Sequence, residues 1–167
     1  MTELQDRVRS ALEKSGVWFE IIDCDPSLAD TAAFCAHYGY SPDISANAIL
    51  VKTKTGDEKF ALCMVLANAR LNVNSTVRKK FPARKVSFAS REETRRLTGM
   101  EIGGVTPIAL PEDLPLWVDA AVMECEKIIL GGGGRDTKVI VDPAYFRATP
   151  NTEVVTDLAT PIPQDNG

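Results

Sequence analysis

Leu4, Val8 and Leu12 recur every four residues behind a T-x-x-Q pattern running from Thr2 to Gln5. That spacing predicts an amphipathic helix opened by a capping box and stopped at Gly16. Residues 18–22, Trp-Phe-Glu-Ile-Ile, are aromatic and β-branched and predict a strand. A second helix is expected over 30–38, with Phe34, Cys35 and Tyr38 on its apolar side and Gly39 closing it. Two apolar runs, 46–51 and 60–66, flank a polar loop that contains Gly56, so they should pair as a hairpin. The second run is almost wholly apolar, which implies burial on both faces.

Further along, Val73, Val77 and Phe81 mark a third helix, capped by Asn72 or Asn74 and ended before Pro82. Residues 86–88 form a short strand, and Ser90-Arg91-Glu92-Glu93 fits the S-x-x-E capping box of a helix that stops at Gly99. Residues 101–107 hold two glycines and a proline and read as a loop. Strands follow at 116–118, 127–130 and 138–141, and Asp142-Pro143 starts a short helix through about Arg147. Strands and helices mixed without strict β-α alternation predict an α+β fold: a partly closed sheet or barrel with helices packed outside. Residues 1–150 form one domain in this reading, and 151–167, rich in Thr, Pro and Asp, form a poorly packed tail.

Composition adds boundaries. A chain of 167 residues is about one domain long, and 44% hydrophobic with 25% charged residues excludes wholesale disorder. No run approaches the ~18 apolar residues of a membrane span. The four cysteines are irregularly spaced, and with no export signal at the start, reduced thiols in the cytoplasm are expected. No C-x-x-C pair and a single histidine, His37, argue against a metal site. The net charge is -4, yet the segment from Arg78 to Arg96 carries +6 against -10 elsewhere. A basic face on an acidic body suits contact with phosphate at Arg78, Lys79, Lys80, Arg84 and Lys85; two solvated helix faces are the alternative.

Candidate chemistry is sparse. Gly131 to Gly134 lacks the G-K-[S/T] of a phosphate-binding loop and leads into a strand, so a hairpin turn is the favoured reading. His37, at a helix C-terminus, has a structural role, and no nucleophile stands out. The bend at Gly103-Gly104, stiffened by Pro107, can aim successive backbone N–H groups at one point and hold an oxyanion.

Gly103-Gly104-Val105-Thr106-Pro107, preceded by Leu97-Thr98-Gly99 and followed by Val118-Asp119, resembles the central motif of the YbaK-like aminoacyl-tRNA deacylases. These are freestanding relatives of the editing domain inserted in bacterial prolyl-tRNA synthetase. The hairpin, the Ala69-Arg70-Leu71 segment, the basic helix, Ala89-Ser90 and the late glycine turn agree in order. The resemblance spans roughly residues 19–147.

The resemblance implies hydrolysis, without cofactor or metal, of the ester joining a wrong amino acid to the 3′ end of a tRNA. Amides of Gly103 and Gly104 would stabilise the oxyanion, and Thr106, Pro107 and Asp119 would contact substrate. Met64 and Phe34 are candidate pocket walls, with plain core packing as the alternative. A mischarged aminoacyl-tRNA is the expected partner and a synthetase a second one; neither DNA nor a membrane is expected. One position departs from the pattern: where the family commonly places lysine in the first hairpin strand, this chain has Asn47. Lys52 and Lys54 lie an odd number of positions away, on the opposite face, and do not replace it. Asn47 keeps hydrogen-bonding capacity without the charge, so a non-catalytic module that binds aminoacyl-tRNA or a synthetase is the alternative function.

Overall fold

The computed structural model describes residues 3–163. Thr2, the expected cap of the first helix, lies outside them. Helix α1 (Glu3–Ser15) buries Val8 and Leu12 on the predicted stripe. Strand β1 (Phe19–Asp23) follows, then a 3-10 turn and α2 (Thr31–Tyr38), ended by Gly39 at φ 78° with its N–H on the Cys35 carbonyl. The hairpin is β2 (Ala46–Thr53) and β3 (Phe60–Leu66), with Asn47 opposite Val65 and Lys52 opposite Phe60. Beyond it lie β4 (Ala69–Leu71), α3 (Arg78–Lys80), β5 (Val86–Phe88) and α4 (Arg91–Thr98), the last opened by the complete Ser90–Glu93 capping box. Strands β6 (Leu116–Asp119), β7 (Ile128–Gly131), β8 (Thr137–Val141), β9 (Thr152–Val155) and β10 (Ala159–Pro161) complete the α+β chain.

The strands form three sheets, ordered β5-β2-β3-β6-β9, β1-β8-β7 and β10-β4, and these do not close into a barrel. The two larger sheets share an inner core. Leu62, Met64 and Leu116 meet Ile128, Val139 and Val141, with α1 adding Val8 and Leu12. Alternation along each strand turns the other side chains outward. On the five-stranded sheet Val51, Cys63 and Trp117 are covered by Val77, Phe81 and Leu158. On the three-stranded sheet Ile129 and Ile140 are covered by Phe34 and Cys35 of α2. Burial pushes the Cys63 thiol up to about 12, so it packs as a neutral small side chain.

Two expectations are corrected. Residues 150–163 are structured: β9 extends the five-stranded sheet parallel to β6, and β10 pairs with β4, burying Val155, Leu158 and Ala159. The third helix is broken into a π-helical turn, Val73–Val77, followed by the single turn of α3. Asn72 does not cap it; its side-chain amide donates to the Asp157 carbonyl and ties this turn to the C-terminal segment.

Candidate functional site

The site begins where two sheets part. Ser45 bridges Ile129, and the Ile129 N–H donates to the Ile44 carbonyl at 2.8 Å, so β2 and β7 start side by side. Thr53 N–H bonds the Lys59 carbonyl and Ala67 N–H the Ser45 carbonyl, so odd-numbered residues of β2 direct their main chain to β3. Even-numbered residues face the other edge. There β5 covers Lys52, and Ala89 N–H reaches the Leu50 carbonyl. Past that point the edge opens at Ala48 onto a cavity of about 290 Å³, walled also by Asp30, Thr31, Asn47, Gly103 and Lys138. The volume is at the small end of the ~300–1,000 Å³ typical of ligand sites.

Asn47 and the glycine bend therefore line the same cavity. Asn47 Oδ1 accepts the Thr31 hydroxyl at the first turn of α2. Its Nδ2 group has no protein acceptor among the described residues and is free to donate to a ligand. The same side chain divides the cavity from an adjoining hollow of about 480 Å³ beside Cys35, Tyr40 and Pro42.

The donors of the bend are not the expected pair. Gly104 N–H is used internally, on the Glu101 carbonyl at 2.9 Å. Thr106 N–H is directed at Met100 Sδ, and Ile108 N–H at Thr106 Oγ1. Gly103 and Val105 both line the cavity, and their N–H groups have no protein acceptor among the described residues. The unbonded main-chain N–H groups at the cavity wall are thus those of Gly103 and Val105, not those of Gly103 and Gly104.

Two cations hold this bend. Arg135 donates to the Ile102 carbonyl (2.8 Å), to the Pro26 carbonyl (3.2 and 3.0 Å) and to Asp30 (3.3 Å). Gly103, at φ +94°, lies against that guanidinium, and a Cβ would collide with Nη1. The late glycines are the hairpin turn expected from sequence, and they also dock on the bend main chain to main chain. Gly133 N–H bonds the Gly104 carbonyl at 2.8 Å, and a Cβ on Gly131 would strike the Val105 carbonyl.

The second cation, Lys138, was missed by sequence reasoning. It is 5% exposed, and Nζ donates to the carbonyls of Ala29 (2.5 Å) and Gly103 (3.2 Å), 5.3 Å from the Phe34 ring centroid. An ammonium has three donors, so one remains for a ligand. Burial, helped by Arg135, lowers its pKa below the ordinary lysine value, while Asp30 opposes the shift. All five residues of β8 are buried, a property of the fold that the strand's own sequence does not carry, and a buried charge must find partners.

Other expected site residues lie elsewhere. Phe34 supports Lys138 from behind, and Met64 is in the inner core. Thr106 and Pro107 are buried bracing of the loop, outside the cavity wall. Asp119 is 3% exposed and accepts the Ala159 N–H at 3.3 Å; burial raises its pKa, and it anchors β10. Arg78, Lys79, Arg84 and Lys85 are exposed, whereas Lys80 is tied to Glu153 (2.6 Å) and lies 4.8 Å from the Trp117 ring centroid. His37 is exposed at the end of α2. Among the described residues no group of His, Cys, Asp and Glu could hold a metal ion, and no helix is long and apolar enough to cross a membrane.

Fold and site define an α+β domain with a small lateral cavity whose wall carries unbonded main-chain N–H groups, an ammonium and no cysteine, serine or histidine side chain. The chain belongs to the aminoacyl-tRNA editing domain family, which matches residues 25–149. It is 28% identical over 111 residues to the proline--tRNA ligase of Bacillus licheniformis, covering 66% of this chain and 19% of that enzyme. The chain thus spans about a fifth of that relative's length. Among solved structures, a candidate trans-editing enzyme for prolyl tRNA synthetase superposes with a TM-score of 0.77 at 21% identity, covering 93% of this chain and 97% of that one. The protein designated APE2540 superposes with a TM-score of 0.80 at 25% identity, covering 92% and 99%. These superpositions establish the fold as that of the editing domains.

Proposed function

We propose that this chain is an aminoacyl-tRNA deacylase, hydrolysing the ester of a mischarged tRNA. One observation carries the reading: Gly103 and Val105, whose N–H groups have no protein acceptor among the described residues, line a small cavity together with Lys138. Water adds to the ester carbonyl, and the negative charge growing on its oxygen meets donors already fixed in place. The carbon–oxygen bond to the ribose then breaks, leaving a free amino acid and a free ribose hydroxyl. The neighbouring ribose hydroxyl relays the proton, consistent with a wall that offers no imidazole. Loss of one oxyanion donor typically costs ~3–4 kcal/mol. Lys138 orients the Gly103 peptide through its carbonyl and supplies positive charge from β8 instead of β2. A cavity of about 290 Å³ favours small amino acids, though a single methylene is worth only ~1–3 kcal/mol of discrimination. A synthetase that hands over the charged tRNA is a second expected partner, in the cytoplasmic pool of charged tRNA.

The test is release of labelled alanine, cysteine or serine from a panel of mischarged tRNAs, with Gly103→Pro as control. No release above the uncatalysed rate from any of them overturns the enzyme reading. The second reading, a binder without catalysis, rests on Asn47 standing where the family commonly has lysine. It requires Asn47→Lys to create activity in a chain that otherwise has none.

A further inference from the structure

Strand β2 carries more than the cavity wall along its outward face. Asn47, Ile49 and Val51 alternate onto one side of the sheet. Phe88 of β5 stands directly opposite Val51 and so shares that side. Val51 is buried beneath its neighbours, but Phe88 is 56% exposed, the most exposed large apolar side chain among the described residues. The run from Asn47 to Val51 covers about 13 Å at ~3.3 Å per residue, so Phe88 lies a few nucleotides' reach from the cavity. The hollow that the ring itself lines holds both signs, Lys52 and Lys54 with Glu58 and Glu93, and Lys52 is paired with Glu93; the exposed cations lie on the side away from the cavity. Arg84 and Lys85 lead into β5, and the Val73–Val77 turn that packs on β5 leads into Arg78 and Lys79, all four exposed. An exposed aromatic ring between a substrate cavity and clustered cations is the pairing used for single-stranded nucleic acid, where bases stack on rings and phosphates meet cations.

We propose that the single-stranded 3′ end of the RNA reaches the cavity across Ile49 and Phe88, with a base stacked on Phe88 and the preceding phosphates held by Arg84 and Lys85. This rests on the reading that the chain acts on the 3′ terminus of tRNA, and it adds the route by which that terminus arrives. Phe88 serves binding alone and touches none of the groups that face the ester.

The experiment is a fluorescence-anisotropy titration of an uncharged RNA minihelix ending in a four-nucleotide single-stranded 3′ overhang, beside the same duplex with a blunt end. Phe88→Ala should raise the Kd for the overhang RNA about 5- to 100-fold and leave the blunt RNA unchanged. Phe88→Trp should keep wild-type affinity, and Arg84→Glu with Lys85→Glu should weaken both RNAs and flatten the salt dependence. Unchanged overhang binding in Phe88→Ala, or equal weakening of both RNAs, overturns the proposal. Hydrolysis of an aminoacylated adenosine, too short to reach Phe88, separates the two claims. Overhang binding that depends on Phe88 in a chain with no hydrolysis supports the route and removes the deacylase. Hydrolysis of charged tRNA that is indifferent to Phe88 removes the route alone.

Discussion

Gly104→Ala tests whether the bend is held by contact between two stretches of main chain. A Cβ at Gly104 would sit 2.6 Å from the Gly134 carbonyl carbon and 2.7 Å from its oxygen, and neither atom can rotate away as a side chain can. Gly104 is not in the left-handed region, so the cost is packing alone. Overpacking of this kind costs ~1–3 kcal/mol, and loosening the Gly133 N–H bond to the Gly104 carbonyl adds about 1. For a chain of this size ~2–4 °C is lost per kcal/mol, so the variant should melt roughly 5–15 °C below wild type in a thermal scan followed by circular dichroism. Gly99→Ala is the control. It meets nothing within 4 Å but holds φ +73°, so it bears only the left-handed penalty of ~1–2 kcal/mol. Because the displaced bend also carries the Gly103 and Val105 donors, ester hydrolysis should fall about 100-fold, the usual result of a 1 Å misplacement. A Gly104→Ala protein that melts with wild type, or above Gly99→Ala, would refute the docking of bend on turn.

Three further outcomes follow from charged groups. Lys138→Met should retain the fold while hydrolysis drops by about two orders of magnitude, as for loss of an oxyanion-site donor. Since the folded pKa of Lys138 lies below the ordinary 10.5, the unfolded chain binds more protons in the window between. Wild-type stability to urea should therefore rise with pH across that window, and Lys138→Met should abolish the rise. Glu93, hydrogen-bonded by Lys52 and by the Ser90 N–H, is held at about 2 in the folded chain; its contribution is full above 4.5 and lost as pH falls toward 2. Glu93→Gln should thus lower the Tm at neutral pH and match wild type near pH 2. Asp119→Ala should cost about 1–3 kcal/mol by leaving the Ala159 N–H without its acceptor, with kcat/KM of the folded protein unchanged; a loss of kcat/KM at unchanged stability would restore Asp119 to the substrate.

What could be read from the chain was local. Ser90 and Glu93 specified a helix start from four neighbouring residues, Gly39 and Gly99 specified helix ends, and alternation with a polar loop specified the β2–β3 hairpin. Apart from the π-helical turn at Val73–Val77 and the turn bonds inside residues 100–108, the misses are contacts between distant segments. Thr152–Val155 has too few residues to show a period, and its partner β6 lies more than thirty positions earlier. Lys138 sits in a strand that reads as ordinary alternation, and only α2, folded over its outer face, turns a surface lysine into a buried one. The glycine turn was legible as a turn. The reason it needs consecutive glycines, the main chain of residues 103–105 lying against it, is not a property of that stretch at all. Likewise the motif singled out the bend, but which of its amides remain free depends on Glu101 and Met100 as acceptors.

The missing lysine on β2 and the unforeseen one on β8 bear on each other. Both positions are on outward faces of their sheets, and both reach the cavity because the sheets diverge there. One ammonium already occupies that space, with two of its donors committed to Ala29 and Gly103. Like charges sharing one small cavity repel, so a second lysine at position 47 would lower the pKa of both and strip the Thr31 hydroxyl of its Asn47 acceptor. If Lys138 is the working cation, Asn47→Lys should lose stability and gain no hydrolysis, whereas the double variant Asn47→Lys with Lys138→Met should recover part of what Lys138→Met loses. A single Asn47→Lys that outperforms wild type would show instead that the charge is required on β2, and that Lys138 only braces the bend.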